Sequence, residues 1–600
     1  MIIKNIFFSF LLIMSLSSWA KIVKPNYIPG EILVKYKSTS AKVNINSHIS
    51  KMGDKRLNFI GKHGLAHIKL EKNRSIEKAI DDYKNNPDVE YAQPNFIYTM
   101  DSTTPNDARF SQLWGLKNTA QTITTAGGPD TPSSTNNPGV AGKDMGMQYA
   151  WDITTNCSSV VVAVIDTGVN YNHEDLSANM WNGGATYPLH GYNFVNNNND
   201  PMDLSGHGTH VAATIGAVGN NSVGVAGVCW SAKIMALRVL DTTGSGSTAS
   251  ITQAIDFAVT NGAKVINMSL GGTSYDAAYN TAITNAQTNG VIVVAAAGNS
   301  TIDNDVTAHY PCNFSQSNLI CVAALTQSYD LASFSNYGAT SVDVGAPGVN
   351  TVSSWPGTHT ETSDTFVSGW NYSSTATYSW AYANLNLGGT PTPSLVIPSN
   401  FNYSSNKYAN SSTEYVWKEF NLTGANAVTV NYYTGFALEE YNDYVALYVK
   451  SGGGNPTSTG TALVAYTGTT DGSLMSESYD LSPYVSSNTS VGFKLVSDAT
   501  VNDFGLALMY FSIQKLTLNT SSYNVISGTS MAAPHVSGLA ALIWAYNPSY
   551  TYSDVVNSIK TGGVATSSLS GKTTTGKAVS AIGSLIYINQ PTGVNATIIP

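Results

Sequence analysis

Apolar and polar positions change rhythm along the chain, and each change marks a different kind of structure. Glu31-Ile32-Leu33-Val34-Lys35-Tyr36 alternates in twos and predicts a strand, as does Ala66-His67-Ile68-Lys69-Leu70. Ser75 to Tyr83 has helical spacing, with Ser75 placed to cap it and Glu77 near its start. Asp88-Val89-Glu90-Tyr91 then precedes Gln93-Pro94. These pieces predict a small α+β module over residues 27–98. Residues 122–142, rich in Gly, Pro, Thr, Ser and Asn, read as a loop.

From about residue 144 to 354 the alternation gives way to continuous apolar runs. Val160 to Ile165, Ile234 to Leu240, Lys264 to Met268 and Val291 to Ala296 have no polar face, the mark of parallel strands buried on both sides. Helical spacing over His210–Ala217, Ala249–Thr260 and Ala277–Thr288 separates them, which predicts a doubly wound α/β domain. Residues 356–522 break the rhythm with short alternating runs at Ala427–Tyr433, Tyr444–Val449, Leu463–Thr467 and Ser490–Leu495, and read as an all-β sandwich. The apolar helical run Ser530–Tyr546 then resumes the α/β pattern, so the β region is an insertion.

Charge sharpens this picture. Only 11% of the 600 residues are charged and 42% are hydrophobic, which excludes a charge-driven disordered chain. A net charge of −9 argues against nucleic-acid binding. The charge is unevenly placed: residues 21–100 carry +6 and residues 101–600 carry −16. Lys4, the apolar run Ile6 to Leu16, and the small residues Ser18 and Ala20 form a secretory signal. That run is shorter than the roughly 20 residues needed to span a bilayer. Four cysteines in an exported chain imply disulfides, with three possible connectivities. We favour Cys312–Cys321, which closes a short loop, and Cys157–Cys229. With no CxxC spacing, a zinc site is not expected.

Three short motifs carry chemistry. Asp166 ends a strand in Val164-Ile165-Asp166-Thr167-Gly168. His207 opens a helix in Ser205-Gly206-His207-Gly208-Thr209-His210, and Ser530 opens another in Gly528-Thr529-Ser530-Met531-Ala532-Ala533-Pro534-His535. A serine hydroxyl is a weak nucleophile until an imidazole takes its proton and a carboxylate orients that imidazole. These motifs, in the order Asp, His, Ser, resemble those of the subtilases, the subtilisin-like serine peptidases, over residues 104–354 and 523–588.

The resemblance implies a doubly wound, subtilisin-like α/β catalytic domain in which Ser530 attacks, His207 shuttles the proton and Asp166 orients His207. It implies that Asn299, in Ala296-Ala297-Gly298-Asn299-Ser300, supplies an oxyanion-hole amide. Gly244-Ser245-Gly246 and Ser269-Leu270-Gly271 match strips that pair with an extended peptide, a mode that implies broad specificity. His309, before Tyr310-Pro311, stands at the base of the P1 pocket and could narrow it. His210 and His535 are expected to pack within helices, and Met531 to be open to oxidation. A structural calcium site is implied at Asp107, Asp175 and Asn221, with the carbonyls of Val218, Val223 and Val225; no organic cofactor is implied.

Gly30-Glu31-Ile32-Leu33-Val34-Lys35 and Gln93-Pro94-Asn95-Phe96-Ile97-Tyr98 resemble the inhibitor-type propeptide of the same family, which aids folding and occupies the cleft. Its opposite charge would steer it onto the acidic remainder, more strongly at low salt. The cut is expected between Tyr98 and Thr104. Tyr441-Asn442-Asp443-Tyr444-Val445 and Leu495 to Asp503 resemble the jelly-roll-like β domains of secreted metallopeptidases of the immune-inhibitor type. The insertion is expected to gate or extend substrate binding beyond the scissile bond, or to be a stabilising appendage. Glu439, Glu440, Asp443, Asp498 and Asp503 read as solvated turn carboxylates in preference to a second calcium site.

The expected organisation is therefore a signal (1–20), a propeptide (21–102), a catalytic domain in two parts (103–355 and 523–588), a β insertion (356–522) and a tail (589–600). The expected product is a secreted, extracellular, monomeric endopeptidase acting on proteins or peptides, with its own propeptide as inhibitor. No nucleic-acid partner and no stable membrane insertion are expected. A binding protein built on the same scaffold would lack a triad member, and a narrow processing protease would need an acidic cluster in the cleft. The sequence has all three triad residues and no such cluster.

Overall fold

The computed structural model describes residues 27–37, 42–60, 64–96, 102–372, 379–387, 390–399 and 407–588. The expected signal, most of the expected cleavage segment and the expected tail lie outside them. The chain divides into two compact units, Met1–Asp101 and Ser102–Pro600.

In the first unit an antiparallel sheet runs in the order Lys55–Ile60, Leu65–Lys69, Tyr27–Tyr36, Val89–Phe96. Alternation along Tyr27–Tyr36 sends Ile32, Val34 and Tyr36 into a core with Ile68, Ala79 and Tyr83. The helix Ile76–Lys84 starts where Ser75 caps it, its side chain accepting the Lys78 N–H. Asp54, buried beneath this helix, is held by Arg74 at 2.5 Å and by the Tyr83 hydroxyl at 3.0 Å.

Among the described residues the second unit is built on a nine-stranded sheet. Its order is Val564–Ala565, Lys577–Ala578, Val344–Pro347, Leu319–Leu325, Ile292–Ala296, Val265–Met268, Val161–Asp166, Lys233–Arg238, Gly191–Asn193. Every pairing is parallel except the short hairpin at the Val564 edge. The continuous apolar runs have a direct cause. Along Val161–Asp166, Val162 and Val164 enter one core, shared with helices His207–Gly216 and Thr529–Tyr546. Ala163 and Ile165 enter the opposite core, shared with helices Thr248–Thr260 and Ala277–Thr288. Both faces of each strand are dry, so apolar residues dominate both. Disulfides join Cys157 to Cys229 and Cys312 to Cys321.

Thr351–Ser363 and Gly505–Ile526 leave this layer as one antiparallel ribbon, paired from Thr351 with Ile526 out to Ser363 with Ser512. Both strands run on through positions 356 and 522, with one irregularity in their pairing between Trp355 and Gly357, so the two layers share continuous strands. Its near half is buried in the α/β domain, and the far half of Gly505–Ile526 becomes a central strand of an inserted sheet. Among the described residues that sheet has six strands and faces one of five. Leu395, Val430 and Phe436 from one sheet meet Val416, Leu447 and Phe493 from the other in a single core.

Candidate active site

The C-terminal end of strand Val161–Asp166 delivers Asp166, fully buried, to the start of helix His207–Gly216. Asp166 Oδ1 lies 2.7 Å from His207 Nδ1 and also accepts the Thr167 N–H at 2.7 Å. The loop before His207 is fixed by Asp203, a buried carboxylate the sequence reading passed over. Its Oδ1 accepts from Ser205 N, Gly206 N and Thr167 Oγ1, each at 2.9 Å. Its Oδ2 accepts from Thr209 N at 2.9 Å and Thr209 Oγ1 at 2.6 Å. Its signal was an Asp shortly ahead of a helix start. Burial opposes protonation of His207, but the Asp166 carboxylate, with Asp203 behind it, outweighs burial and leaves the imidazole pKa above its ordinary value.

Ser530 is the second residue of helix Thr529–Tyr546. Its hydroxyl donates to the Ser269 carbonyl at 3.2 Å, and its own carbonyl accepts from Ser269 Oγ at 2.8 Å. The strip Ser269-Leu270-Gly271 thus carries the acceptor of the Ser530 hydroxyl as well as a wall of the cleft.

Asn299 Oδ1 accepts from both Thr529 N and Thr529 Oγ1 at 2.9 Å. A backbone N–H can only donate, so the amide oxygen faces Thr529 and Nδ2 is left for the cleft. Thr529 Oγ1 also accepts the Gly298 N–H at 3.1 Å. This locking role of Thr529 was not read from the sequence.

His207, Asn299 and Ser530 line one cleft of about 820 Å³. Gly244, Ser245, Gly246, Ser269, Leu270, Gly271 and His309 line it too. The turn at Thr243–Ser245 is tied to Asp241, whose Oδ1 accepts from Thr243 N at 2.8 Å and Ser245 N at 3.1 Å. The His309 ring packs so closely on Gly271 that a Cβ there would lie 2.3 Å from its Cε1. Burial lowers its pKa and favours the neutral ring. His210 and His535 sit within helices, with Nε2 of His210 at 2.9 Å from the Thr351 carbonyl and Nδ1 of His535 at 2.8 Å from the Met531 carbonyl. Burial lowers their pKa values to about 3 and about 4.

The residues read as calcium ligands meet in one place. Asp107 Oδ2 accepts the Asn220 N–H at 2.7 Å, while its buried Oδ1 has no partner among the described residues. Asp175 Oδ2 accepts from Val225 N at 2.8 Å and the Tyr523 hydroxyl at 2.9 Å. Val218 N donates to the Asp175 carbonyl at 2.8 Å. Asn221 turns its amide nitrogen toward Asp175 at 3.4 Å, and its oxygen accepts the Val223 N–H at 2.8 Å. Burial pushes both carboxyls up, Asp175 repelling Asp107 and Glu174 repelling Asp175. Two buried carboxylates, one with an orphaned oxygen, are donors suited to a hard cation, but Asn221 presents its amide nitrogen where the resemblance implied its oxygen, and Val218, Val223 and Val225 present N–H groups in hydrogen bonds here.

A second acidic group differs from its reading as solvated turns. Asp443 is fully buried and accepts from the Tyr408 hydroxyl and from Asp498 N at 2.7 Å. Glu439, Asp443 and Asp498 each bring an oxygen within 4.8 Å of the others, so this cluster could hold a metal ion. Glu440 and Asp503 are not part of it.

Comparison with known proteins gives the family. The model of the subtilase family matches residues 158–385 and 371–576, and that of the fervidolysin N-terminal prodomain matches residues 19–95. The chain is 36% identical over 337 residues to the thermophilic serine proteinase of Bacillus sp. (strain AK1), covering 56% of this chain and 73% of that protein. It is 42% identical over 207 residues to thermitase of Thermoactinomyces vulgaris, covering 34% and 69%. It is 44% identical over 200 residues to subtilisin Savinase of Lederbergia lenta, covering 33% and 68%. The chain belongs to the subtilase family, as a serine endopeptidase with a fervidolysin-type prodomain ahead of its subtilisin-like α/β domain.

Proposed function

We propose that the chain is a secreted endopeptidase, made as a proenzyme, that cleaves proteins through an Asp166–His207–Ser530 triad and an acyl-enzyme. One observation carries this reading: a buried Asp–His hydrogen bond, a serine at a helix start and an amide with its oxygen tied back all border one cleft.

In this reading Ser530 Oγ leaves the Ser269 carbonyl, gives its proton to His207 Nε2 and attacks the scissile carbonyl. Asp166 accepts from Nδ1–H, which leaves Nε2 as the proton acceptor, and stabilises the imidazolium that forms. Asn299 Nδ2 and the Ser530 N–H, at the positive end of its helix, receive the oxyanion. His207 then protonates the leaving amine, and water repeats the cycle to free the acid product. Gly244–Gly246 and Ser269–Gly271 hold the substrate through its backbone, so specificity is broad, while His309 limits the depth of the P1 pocket.

The domain boundaries follow the reading given above, with cleavage between Tyr98 and Thr104 and the prodomain as inhibitor and folding aid. Among the described residues no helix is long and apolar enough to cross a membrane, which is compatible with export. Asp107, Asp175 and the loop from Val218 to Val225 would hold a structural calcium ion. The inserted β layers, jelly-roll-like in this reading, gate or extend the cleft. In support, Thr429 and Gln514 of the insertion border a groove with Ser205 and Thr242, and Ser205 also lines the main cleft.

The test is casein digestion by purified protein, with a serine-directed covalent inhibitor and the Ser530→Ala variant. Both should abolish digestion, and Ser530→Ala should accumulate unprocessed. Digestion unaffected by either would overturn the reading.

A further inference from the structure

The ribbon that carries the inserted domain touches the loops holding both members of the Asp166–His207 pair. Trp355, on the ribbon's near half, is only 6% exposed. Its indole lies against the Cα of Gly206, the residue before His207. A Cβ on Gly206 would fall 2.2 Å from Cζ2 and 2.4 Å from Cη2 of that ring. Gly206 has φ +123°, which L side chains rarely adopt, so its freedom is used here and the indole is the wall that confines it. The same ring meets His210 at 6.4 Å and His359 at 5.4 Å between centroids. The buried Trp355 Nε1 has no hydrogen-bond partner among the described residues, so packing alone holds the indole.

The Asp166 side is fastened to the same place. Asn170, four residues on and 2% exposed, donates through Nδ2 to the Pro356 carbonyl at 2.9 Å and the Asn519 carbonyl at 2.7 Å. These carbonyls lie on opposite strands of the ribbon or at its edge, next to its irregularity between Trp355 and Gly357. Asn170 N donates to Thr209 Oγ1 at 2.9 Å, and that hydroxyl donates to Asp203. The loop after Asp166, the loop before His207 and the ribbon are therefore one packed unit.

We infer that Trp355 is a positioning residue for His207, acting through Gly206, so that the base of the inserted domain belongs to the catalytic apparatus. This rests on His207 and Ser530 acting as proposed above. An error of about 1 Å in a catalytic group can cost on the order of 100-fold in rate, and a loosened Gly206 peptide moves the first residue of the histidine helix. The charged groups facing His207 are Asp166 and Asp203, with His210 on its own helix.

The experiment compares the full chain with Trp355→Ala, Trp355→Leu and Trp355→Phe. It measures kcat and KM on a short peptide per active site titrated with a serine-directed inhibitor, with Ser530→Ala as control. Trp355→Ala is expected to lower kcat about 10- to 100-fold with KM within about twofold. It is also expected to move the acid limb of kcat/KM to lower pH, because a slackened Asp166 contact raises the His207 pKa less. Trp355→Leu should fall between, and Trp355→Phe should restore most of kcat and the parental limb. Titration removes unfolded molecules from the count, and Trp355→Leu retains apolar volume if the alanine variant does not fold. Parental kcat per titrated site and an unmoved acid limb in Trp355→Leu or Trp355→Ala would overturn the inference while leaving the triad intact. An active Ser530→Ala control would instead overturn the triad.

Discussion

Thr529 holds the side chain of Asn299 in one orientation, its backbone N–H and its hydroxyl both donating to Asn299 Oδ1 at 2.9 Å. The donor offered to the cleft is therefore preorganised, and it should matter more in the transition state than in the ground state. Asn299→Ala is expected to lower kcat by about 10²–10³-fold with little change in KM. Thr529→Val keeps the backbone donor and loses the hydroxyl, so a loss of about tenfold is expected. Steady-state kinetics on a peptide substrate check both, and a rise in KM at constant kcat would contradict the oxyanion role.

The Asp166–His207 pair predicts the pH dependence. Asp166 and Asp203 favour the imidazolium beyond what burial takes away, so the His207 pKa lies above its ordinary value of 6.5. The base must be neutral to accept the serine proton, so kcat/KM should fall as pH drops through that raised value. Asp166→Asn removes the charge and moves the limb down, along with a large loss of rate. A flat profile between about pH 5 and 9 would count against His207 as the base.

These groups differ in how far the sequence disclosed them. The Asp166, His207 and Ser530 motifs are contiguous, and the strand ending at Asp166 is apolar on both faces, so both were legible. Thr529 and Asn299 lie 230 positions apart, and Asn170 reaches Asn519 across 349, distances at which no local pattern reports a contact. Strands Leu319–Leu325 and Val344–Pro347 went unnamed because short, fully buried apolar runs carry no periodicity to separate them from helix. Lys55–Ile60 went unnamed for the opposite reason: it is nearly all exposed and shows no alternation. The inserted strands were easier because their short runs alternate in sequence, although Ala427–Tyr433 proved to run on to Ala437 and to be buried along most of its length.

The Asp107–Asp175 site predicts a dependence on divalent ions. Hydrogen bonds from Asn220, Val225 and Tyr523 compensate the two buried carboxyls only in part, and the orphaned Asp107 Oδ1 is what a cation would complete. A chelator should lower the Tm, and added Ca²⁺ should restore it as RT ln(1 + [Ca²⁺]/Kd). Asp175→Asn should lower the Tm in Ca²⁺ and flatten the chelator response, because one charged ligand is gone. Differential scanning calorimetry on Ser530→Ala protein, which cannot digest itself in this reading, checks it. An unchanged Tm in chelator would remove the site.

The two disulfides should differ in value because they close loops of very different length. Cys157–Cys229 spans 72 positions and Cys312–Cys321 spans 9. If cross-links act mainly by restricting the unfolded chain, the long loop contributes about 4.4 kcal/mol and the short one about 2.6 kcal/mol. All four cysteines are buried, so alanine is the fairer replacement, since a serine hydroxyl would add a desolvation cost of its own. Denaturant unfolding of Cys157→Ala/Cys229→Ala and Cys312→Ala/Cys321→Ala, each in the Ser530→Ala background, should rank the first pair as the costlier loss. The reverse order would mean that the long-range link joins parts of the chain already close in the denatured ensemble, so that its entropic share is small.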